Sequence, residues 1–274
     1  MSMKFGLVNI STGGFFSNFF VSISTSMYAS NNGLIPYIVL DNTVFAKYGD
    51  LDSKNTWEWW FEQETPKECD IVINVEQNTD KFINFPAPFS DISIYWDRFE
   101  IKESKKFFDK FFKIKNNILE QYIEYYNLYM SKKVNLGIMA RGTEFNFIHP
   151  QYGNQNVYTY INEAKNIIKK HPEIDNIFLV TEDGDWVKIF EKEFNNILYM
   201  DVFRRTHQSI DYCQRNWLWV YEYNSRENHT KILGDECITQ ALLLGRCDYL
   251  LCKQNSFSAG AIFFNEDIKK VYYI

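Results

Sequence analysis

From residue 134 to the C-terminus, short apolar runs alternate with helical patterns of about ten to fifteen residues, and nothing else in the chain constrains its fold as tightly. The spacing predicts strands over 134–140, 176–181, 197–199, 249–252 and 270–273. It predicts helices over 156–170, 185–194, 232–244 and 256–264. An alternation of this kind requires a parallel sheet with helices on both faces, an α/β class. The run 134–140 is continuously apolar, as expected for a strand buried on both sides.

The first half carries the same theme less clearly. A strand over 4–10 runs into Ser11-Thr12-Gly13-Gly14-Phe15-Phe16-Ser17-Asn18, and a helix continues to about residue 30. Strand, glycine turn and helix make a ligand-facing loop, because glycines allow close backbone approach and a helix N-terminus favours anions. A tight turn with no ligand has the same spelling. Further strands are expected over 36–40 and 69–75. Trp57-Glu58-Trp59-Trp60-Phe61 suits either a packed core or a sugar-stacking platform. Residues 102–131 read as one long amphipathic helix, with Phe107, Phe108, Phe111, Phe112, Ile118 and Tyr122 at helical spacing. The expected division is an N-terminal half over 1–130 and a C-terminal half over 131–274.

Composition removes several classes of function. A net charge of −6 argues against a general nucleic-acid binder, which shows a basic face. Five cysteines form no CxxC pair, and only four histidines accompany them, so a zinc site is not expected and free thiols are. The N-terminus has no apolar segment of signal-peptide length, and no run approaches a membrane span. The expectation is a soluble, cytoplasmic protein, with attachment at the inner face of the membrane as its variant.

In an open parallel sheet, ligands bind beyond the carboxyl ends of the strands. There the first strand delivers Arg141, whose guanidinium is permanently charged and forked to match phosphate oxygens. The second delivers Thr181-Glu182-Asp183. A carboxylate such as Asp183 can accept from both N1–H and the N2 amine of guanine. The third delivers Lys253-Gln254-Asn255-Ser256-Phe257-Ser258, hydroxyls and backbone N–H groups at a helix start. Each has a plainer reading: Arg141 in a salt bridge, Asp183 and Ser256 as helix caps.

Taken together, these segments resemble the GDP-fucose-dependent fucosyltransferase superfamily, which includes the protein O-fucosyltransferases, the core α1,6-fucosyltransferases and their nodulation relatives. Gly137-Ile-Met-Ala-Arg141-Gly-Thr-Glu144 is similar to the family's strand ending in H-x-R with a following acidic residue. Val180-Thr-Glu-Asp183 resembles its T-D-D segment, whose last Asp holds guanine. Asn255-Ser-Phe-Ser258 resembles its S-S-F-S/T segment around the phosphates and base. Gly14-Phe-Phe-Ser-Asn18 is similar to the O-fucosyltransferase loop whose Asn reaches into the active site. Two positions depart from the pattern: Met139 stands where the family has a His, and Glu144 where it has an Asp.

The resemblance implies a GT-B-like fold of two Rossmann-type halves, the first on the acceptor side and the second holding the nucleotide sugar. It implies an inverting, metal-independent glycosyltransferase with GDP-fucose as donor and no cofactor. The acceptor would be a glycan or small hydroxyl compound in surface-polysaccharide synthesis. The implied donor contacts are Gly13, Gly14, Asn18, Arg141, Thr181, Asp183, Asn255, Ser256, Phe257 and Ser258. Arg141 would stabilise the leaving diphosphate, with Glu144 and His149 the nearest titratable groups in sequence for a general base. The rival expectations are another nucleotide-sugar donor, or a non-catalytic module that binds nucleotide or glycan.

Overall fold

The structure, a computed structural model, describes residues 5–10, 15–40, 55–66, 71–75, 98–142, 156–204, 226–264 and 268–274. The chain forms two compact units. The first comprises Met1–Glu120, Arg226–Ile238 and Asn255–Phe263; the second comprises Gln121–Ser225, Thr239–Gln254 and Phe264–Ile274.

The second unit is a five-stranded, wholly parallel sheet. Its strands are β6 (Asn135–Met139), β7 (Asn176–Val180), β8 (Ile197–Leu198), β9 (Tyr249–Cys252) and β10 (Lys270–Tyr273), in the spatial order β10-β9-β6-β7-β8. The chain therefore lays β6, β7 and β8 outward in one direction, then returns to place β9 on the other side of β6. This reversal is a topological switch point, where doubly wound sheets leave a crevice beyond their carboxyl ends. The helices between these strands are α4 (Val157–Lys170), α5 (Gly184–Glu193) and α6 (His229–Gly245).

Alternation along the strands sorts the core into two layers. Leu136, Ile138, Ala140, Ile177, Leu179, Tyr249 and Leu251 pack in one buried cluster with Tyr160, Ile161, Ala164 and Ile167 of α4 and Trp186, Val187 and Phe190 of α5. On the other side Gly137 lets the chain approach closely. A Cβ there would come 2.9 Å from Leu244 Cδ2 and 3.0 Å from Cys247 Sγ. Both faces of β6 are thus covered, as its unbroken apolar run requires.

The first unit has a smaller parallel sheet of β1 (Phe5–Ile10), β2 (Ile35–Leu40) and β4 (Ile71–Val75), with β1 in the middle. Helix α1 (Phe15–Asn31) crosses from β1 to β2. Its core is aromatic. Phe19, 2% exposed, meets Phe16, Phe61, Phe108 and Phe263 at ring distances of 5.1–5.9 Å and stacks on Trp57 at 5.9 Å. Trp57, Trp60 and Phe61 are buried, so this aromatic run is core, while Trp59 is half-exposed beneath the Lys231 ammonium at 3.7 Å. Helix α7 (Ser256–Phe264) contributes Phe263 and comes so close to α1 that a Cβ at Gly260 would lie 2.5 Å from the Phe16 ring.

One expected element is corrected. The long helix over 102–131 is three pieces: α2 (Arg98–Phe111), β5 (Phe112–Ile114) and α3 (Asn116–Tyr125), followed by a π-helical turn (Tyr126–Met130). Strand β5 pairs antiparallel with β3 (Phe61–Gln63), and the Lys115 N–H donates to the Trp60 carbonyl at 2.9 Å. A tertiary pairing partner ends the helix after Phe111, and Phe112 enters the aromatic core from the strand.

Because one ring joins so many others, Phe19→Ala should destabilise the protein by roughly 3–5 kcal/mol, the range for emptying a buried aromatic site. Urea denaturation measures it. A loss no larger than the ~1 kcal/mol of an average substitution would contradict a core centred on Phe19.

Candidate functional site

Strand β6 ends at Met139, and Ala140 still donates to the Val180 carbonyl at 2.9 Å before the chain turns at Arg141-Gly142. The turn is held from three directions. The Gly142 N–H donates to Glu182 Oε1 at 3.0 Å, and the same oxygen lies 3.9 Å from Arg141 Nε. The Trp186 indole covers Gly142 so closely that any Cβ would sit 2.5 Å from Cζ2. The Tyr160 phenol, buried against Trp186, takes a hydrogen bond from the Arg141 backbone that opposes the rise in its pKa caused by burial. Glycine is thus required at 142 by packing, and Arg141 is left with 35% of its side chain exposed. Arg141 thus holds a permanently charged, partly exposed guanidinium on a turn fixed by packing.

Glu182 is the carboxylate beside Arg141. Burial raises its pKa above the usual glutamate value, and the neighbouring guanidinium opposes that rise. Glu144 and His149, the titratable groups nearest Arg141 in sequence, both lie outside the described residues, as do Gly13 and Gly14.

Asp183 is wholly buried and caps α5. Its Oδ1 accepts from Asp185 N at 2.9 Å and Trp186 N at 3.2 Å, while its own N–H donates to Thr181 Oγ1 at 3.2 Å. Thr181-Glu182-Asp183 is therefore a built helix entry that also delivers Glu182 to the Arg141 turn.

At the end of β9 the register pairs Cys252 with Met139 of β6, so Lys253 and Arg141 leave the sheet from adjacent strands on either side of the switch point. Burial lowers the pKa of Lys253 from the ordinary lysine value. This second cation was written in the sequence, but only the strand order sets its strand end next to that of Arg141.

The next segment of the chain belongs to the first unit. Here the cap of α7 is Asn255 rather than Ser256: Asn255 Oδ1 accepts from Ser258 N at 2.9 Å, and the Asn255 N–H donates to Ser258 Oγ at 3.2 Å. This reciprocal pair is a capping box, and it occupies a buried Ser258. Ser256 stands in the first turn, half-exposed, and Phe257 meets Phe16 at 5.1 Å. Asn18 is buried within α1. Among the described residues there is no group of three His, Cys, Asp or Glu side chains that could hold a metal ion.

No family model matches the sequence, and no curated protein does. Solved structures do. The NodZ α-1,6-fucosyltransferase co-crystallised with GDP aligns with a TM-score of 0.61 and 14% identity, over 97% of this chain and 93% of that one. The fucosyltransferase NodZ from Bradyrhizobium aligns with a TM-score of 0.59 and 14% identity, over 96% and 92%. The apo form of POFUT1 aligns with a TM-score of 0.51 and 11% identity, over 100% and 99%. This chain has their fold. It is an α/β fold of the GT-B kind, and the likeness runs over nearly its whole length.

Two outcomes are expected of the clamp. A carboxyl whose pKa is raised on folding favours the native state at low pH and loses that contribution as pH climbs through its folded value. Wild-type melting temperature, relative to Glu182→Gln, should therefore fall as pH rises above about 4.3, the unfolded glutamate value. Parallel slopes for the two proteins would show that Glu182 has no such linkage. Separately, Asp183→Ala should cost roughly 0.5–2 kcal/mol through the lost cap. Measured on the same variant, an unchanged ratio of GDP to UDP affinity would limit Asp183 to capping, and a narrowed ratio would give it a part in reading the base.

Proposed function

We propose that the protein is an inverting glycosyltransferase that moves fucose from GDP-fucose to a hydroxyl of a glycan or related acceptor, without a metal ion. The observation that carries this reading is the pair of cations, Arg141 and Lys253, at the switch point of a sheet in the fold of GDP- and GDP-fucose-binding fucosyltransferases. A nucleotide diphosphate is the ligand that such a crevice and such charges suit.

In the proposed reaction the acceptor oxygen attacks the anomeric carbon as the bond to the diphosphate breaks, through an oxocarbenium-like transition state. Negative charge develops on the leaving oxygen. Arg141 would meet it with a fork of donors already oriented by Glu182 and the Tyr160–Trp186 packing, so little reorganisation is needed during the reaction. Lys253 would add a second positive charge. Its lowered pKa reflects burial, and a bound diphosphate would favour its charged form. The residues proposed for the donor are those named from the sequence, with Asn255 and Ser258 acting through the helix start that they build. Residues 1–130 are proposed as the acceptor side and 131–274 as the donor side, in surface-polysaccharide synthesis at the cytoplasmic side of the membrane. Among the described residues, no helix is long and apolar enough to cross a membrane.

Arg141→Ala should raise the transfer barrier by at least ~3 kcal/mol, the scale for a central electrostatic donor, and leave the melting temperature unchanged. Arg141→Lys should also fail, because a point charge lacks the fork. Wild-type turnover in either variant would end this assignment. Turnover should survive excess chelator; loss that manganese restores would move the protein to a metal-dependent class. Calorimetric titration with GDP, UDP and CMP tests the base, and tightest binding to UDP or CMP would replace GDP-fucose by another nucleotide sugar.

A further inference from the structure

A single carboxylate oxygen has two roles at the Arg141 turn. Glu182 Oε1 accepts from the Gly142 N–H at 3.0 Å and lies 3.9 Å from Arg141 Nε. The hydrogen bond to Gly142 needs only a lone pair, which a neutral carboxyl also offers. The attraction to Arg141 needs the negative charge. The arrival of an anion at the guanidinium therefore separates the two roles: the first survives protonation of the carboxyl, and the second is ceded to the anion.

The charged and titratable groups around Glu182 all belong to the second unit. The turn after β6 brings Arg141. The start of α5 brings Asp183, whose buried carboxylate adds negative charge, and Asp185, which is paired with Lys188. Helix α4 brings the Tyr160 phenol, whose pKa is raised by burial and further by the Glu182 charge. The end of β9, adjacent to that of β6, carries Lys253. Burial already raises the proton affinity of Glu182, and Arg141 is the neighbouring side chain that opposes the rise.

We propose that Glu182 makes donor binding proton-linked: as the diphosphate takes the Arg141 guanidinium, the Glu182 carboxylate takes up a proton and stays bonded to the Gly142 N–H as a neutral carboxyl. The inference rests on the reading of Arg141 as the diphosphate site. The proton comes from solvent, and no other covalent bond changes. Glu182 is a positioning residue in this scheme. It fixes the turn that carries Arg141 while its charge gives way to that of the ligand.

The direction of the linkage follows from the charges. A bound phosphate places negative charge near the carboxylate and competes for the cation that stabilised it. Both effects favour the neutral carboxyl. The pKa of Glu182 is then higher with donor bound than without. Binding is strongest below the ligand-free value and weakens as pH rises toward the bound value, by the same linkage that governs folding. Loss of the proton restores the attraction of Glu182 for Arg141 and so aids the departure of GDP.

The test is calorimetric titration of GDP into wild type and Glu182→Gln, in buffers of different ionisation enthalpy, which counts the protons taken up on binding. The range runs from about pH 5 to 8, above the ordinary glutamate value. The ionisations of GDP and Lys253 contribute to both proteins, so the difference reports Glu182. Wild type should take up more of a proton than the variant. Gln keeps an oxygen for the Gly142 N–H and mimics the neutral carboxyl. At the high end of the range the variant should therefore bind GDP about tenfold more tightly than wild type, the ratio for a carboxyl pKa raised by about one through a like charge, and the two should converge at the low end. Equal proton uptake in two proteins that both bind GDP overturns the linkage and leaves the Arg141 reading intact. Wild type that does not bind GDP overturns that reading, and the linkage falls with it. Should Glu182→Gln fail to fold, carbon-13 NMR of the wild-type glutamate carboxyls decides. A titration midpoint that rises on adding GDP supports the linkage, and the lack of any such rise overturns it.

Discussion

A strand buried on both faces can present chemistry only where it ends, and β6 is such a strand. Its neighbours in the sheet, β7 and β9, run parallel to it, so their ends open at the same edge. The placing of Arg141 beside Glu182, at a strand end adjacent to the one that carries Lys253, depends on that geometry. Distance in sequence is irrelevant to it: Arg141 and Lys253 are far apart along the chain, and the strand order makes the strands that carry them neighbours. The turn that carries Arg141 is then held by packing. Trp186 leaves no room for a side chain at 142, and Glu182 ties down the Gly142 N–H.

The helix starts near these edges differ in charge, with consequences for what they can bind. The cap of α5 is the carboxylate of Asp183, whose negative charge offsets the positive end of the helix. The cap of α7 is the neutral amide of Asn255, closed by Ser258, which leaves the helix end positive. An anion would therefore be received better by α7 than by α5. The Asn255–Ser258 pair fixes the backbone of this helix start, with Ser258 turned inward and Ser256 left at the first turn.

Much of the chain beyond residue 134 was legible in its sequence. Helix 256–264 and strands 249–252 and 270–273 stand where the spacing put them, and the other strands and helices of that half differ only at their ends. Strong periodicity bounded by Gly, Asn and Asp leaves little alternative there. The first unit was harder to read because its core is aromatic and its rings meet from many elements. Phe112 has the spacing of a helical residue, yet it lies in a strand because Phe61–Gln63 is there to pair with it. The candidate site divided in the same way. Arg141 and the cap at Asp183 could be named from residue type and position, whereas the contact of Glu182 with Arg141 and the pairing of the Lys253 strand with β6 could not.

The sequence by itself determined local geometry: which runs are strands, which helices come after them, and that a forked cation stands at a strand end. These depend on side-chain period and on the chemistry of Gly, Asn and Asp at element boundaries, all of which act within a few residues. Only the tertiary structure decided which strand ends are neighbours, which carboxylate faces which cation, and which aromatic rings are core. Those outcomes depend on strand order and on burial. Burial is the largest cause of the changed proton affinity of Glu182, Asp235 and Lys253, because removing a charge from water costs free energy that no local pattern records.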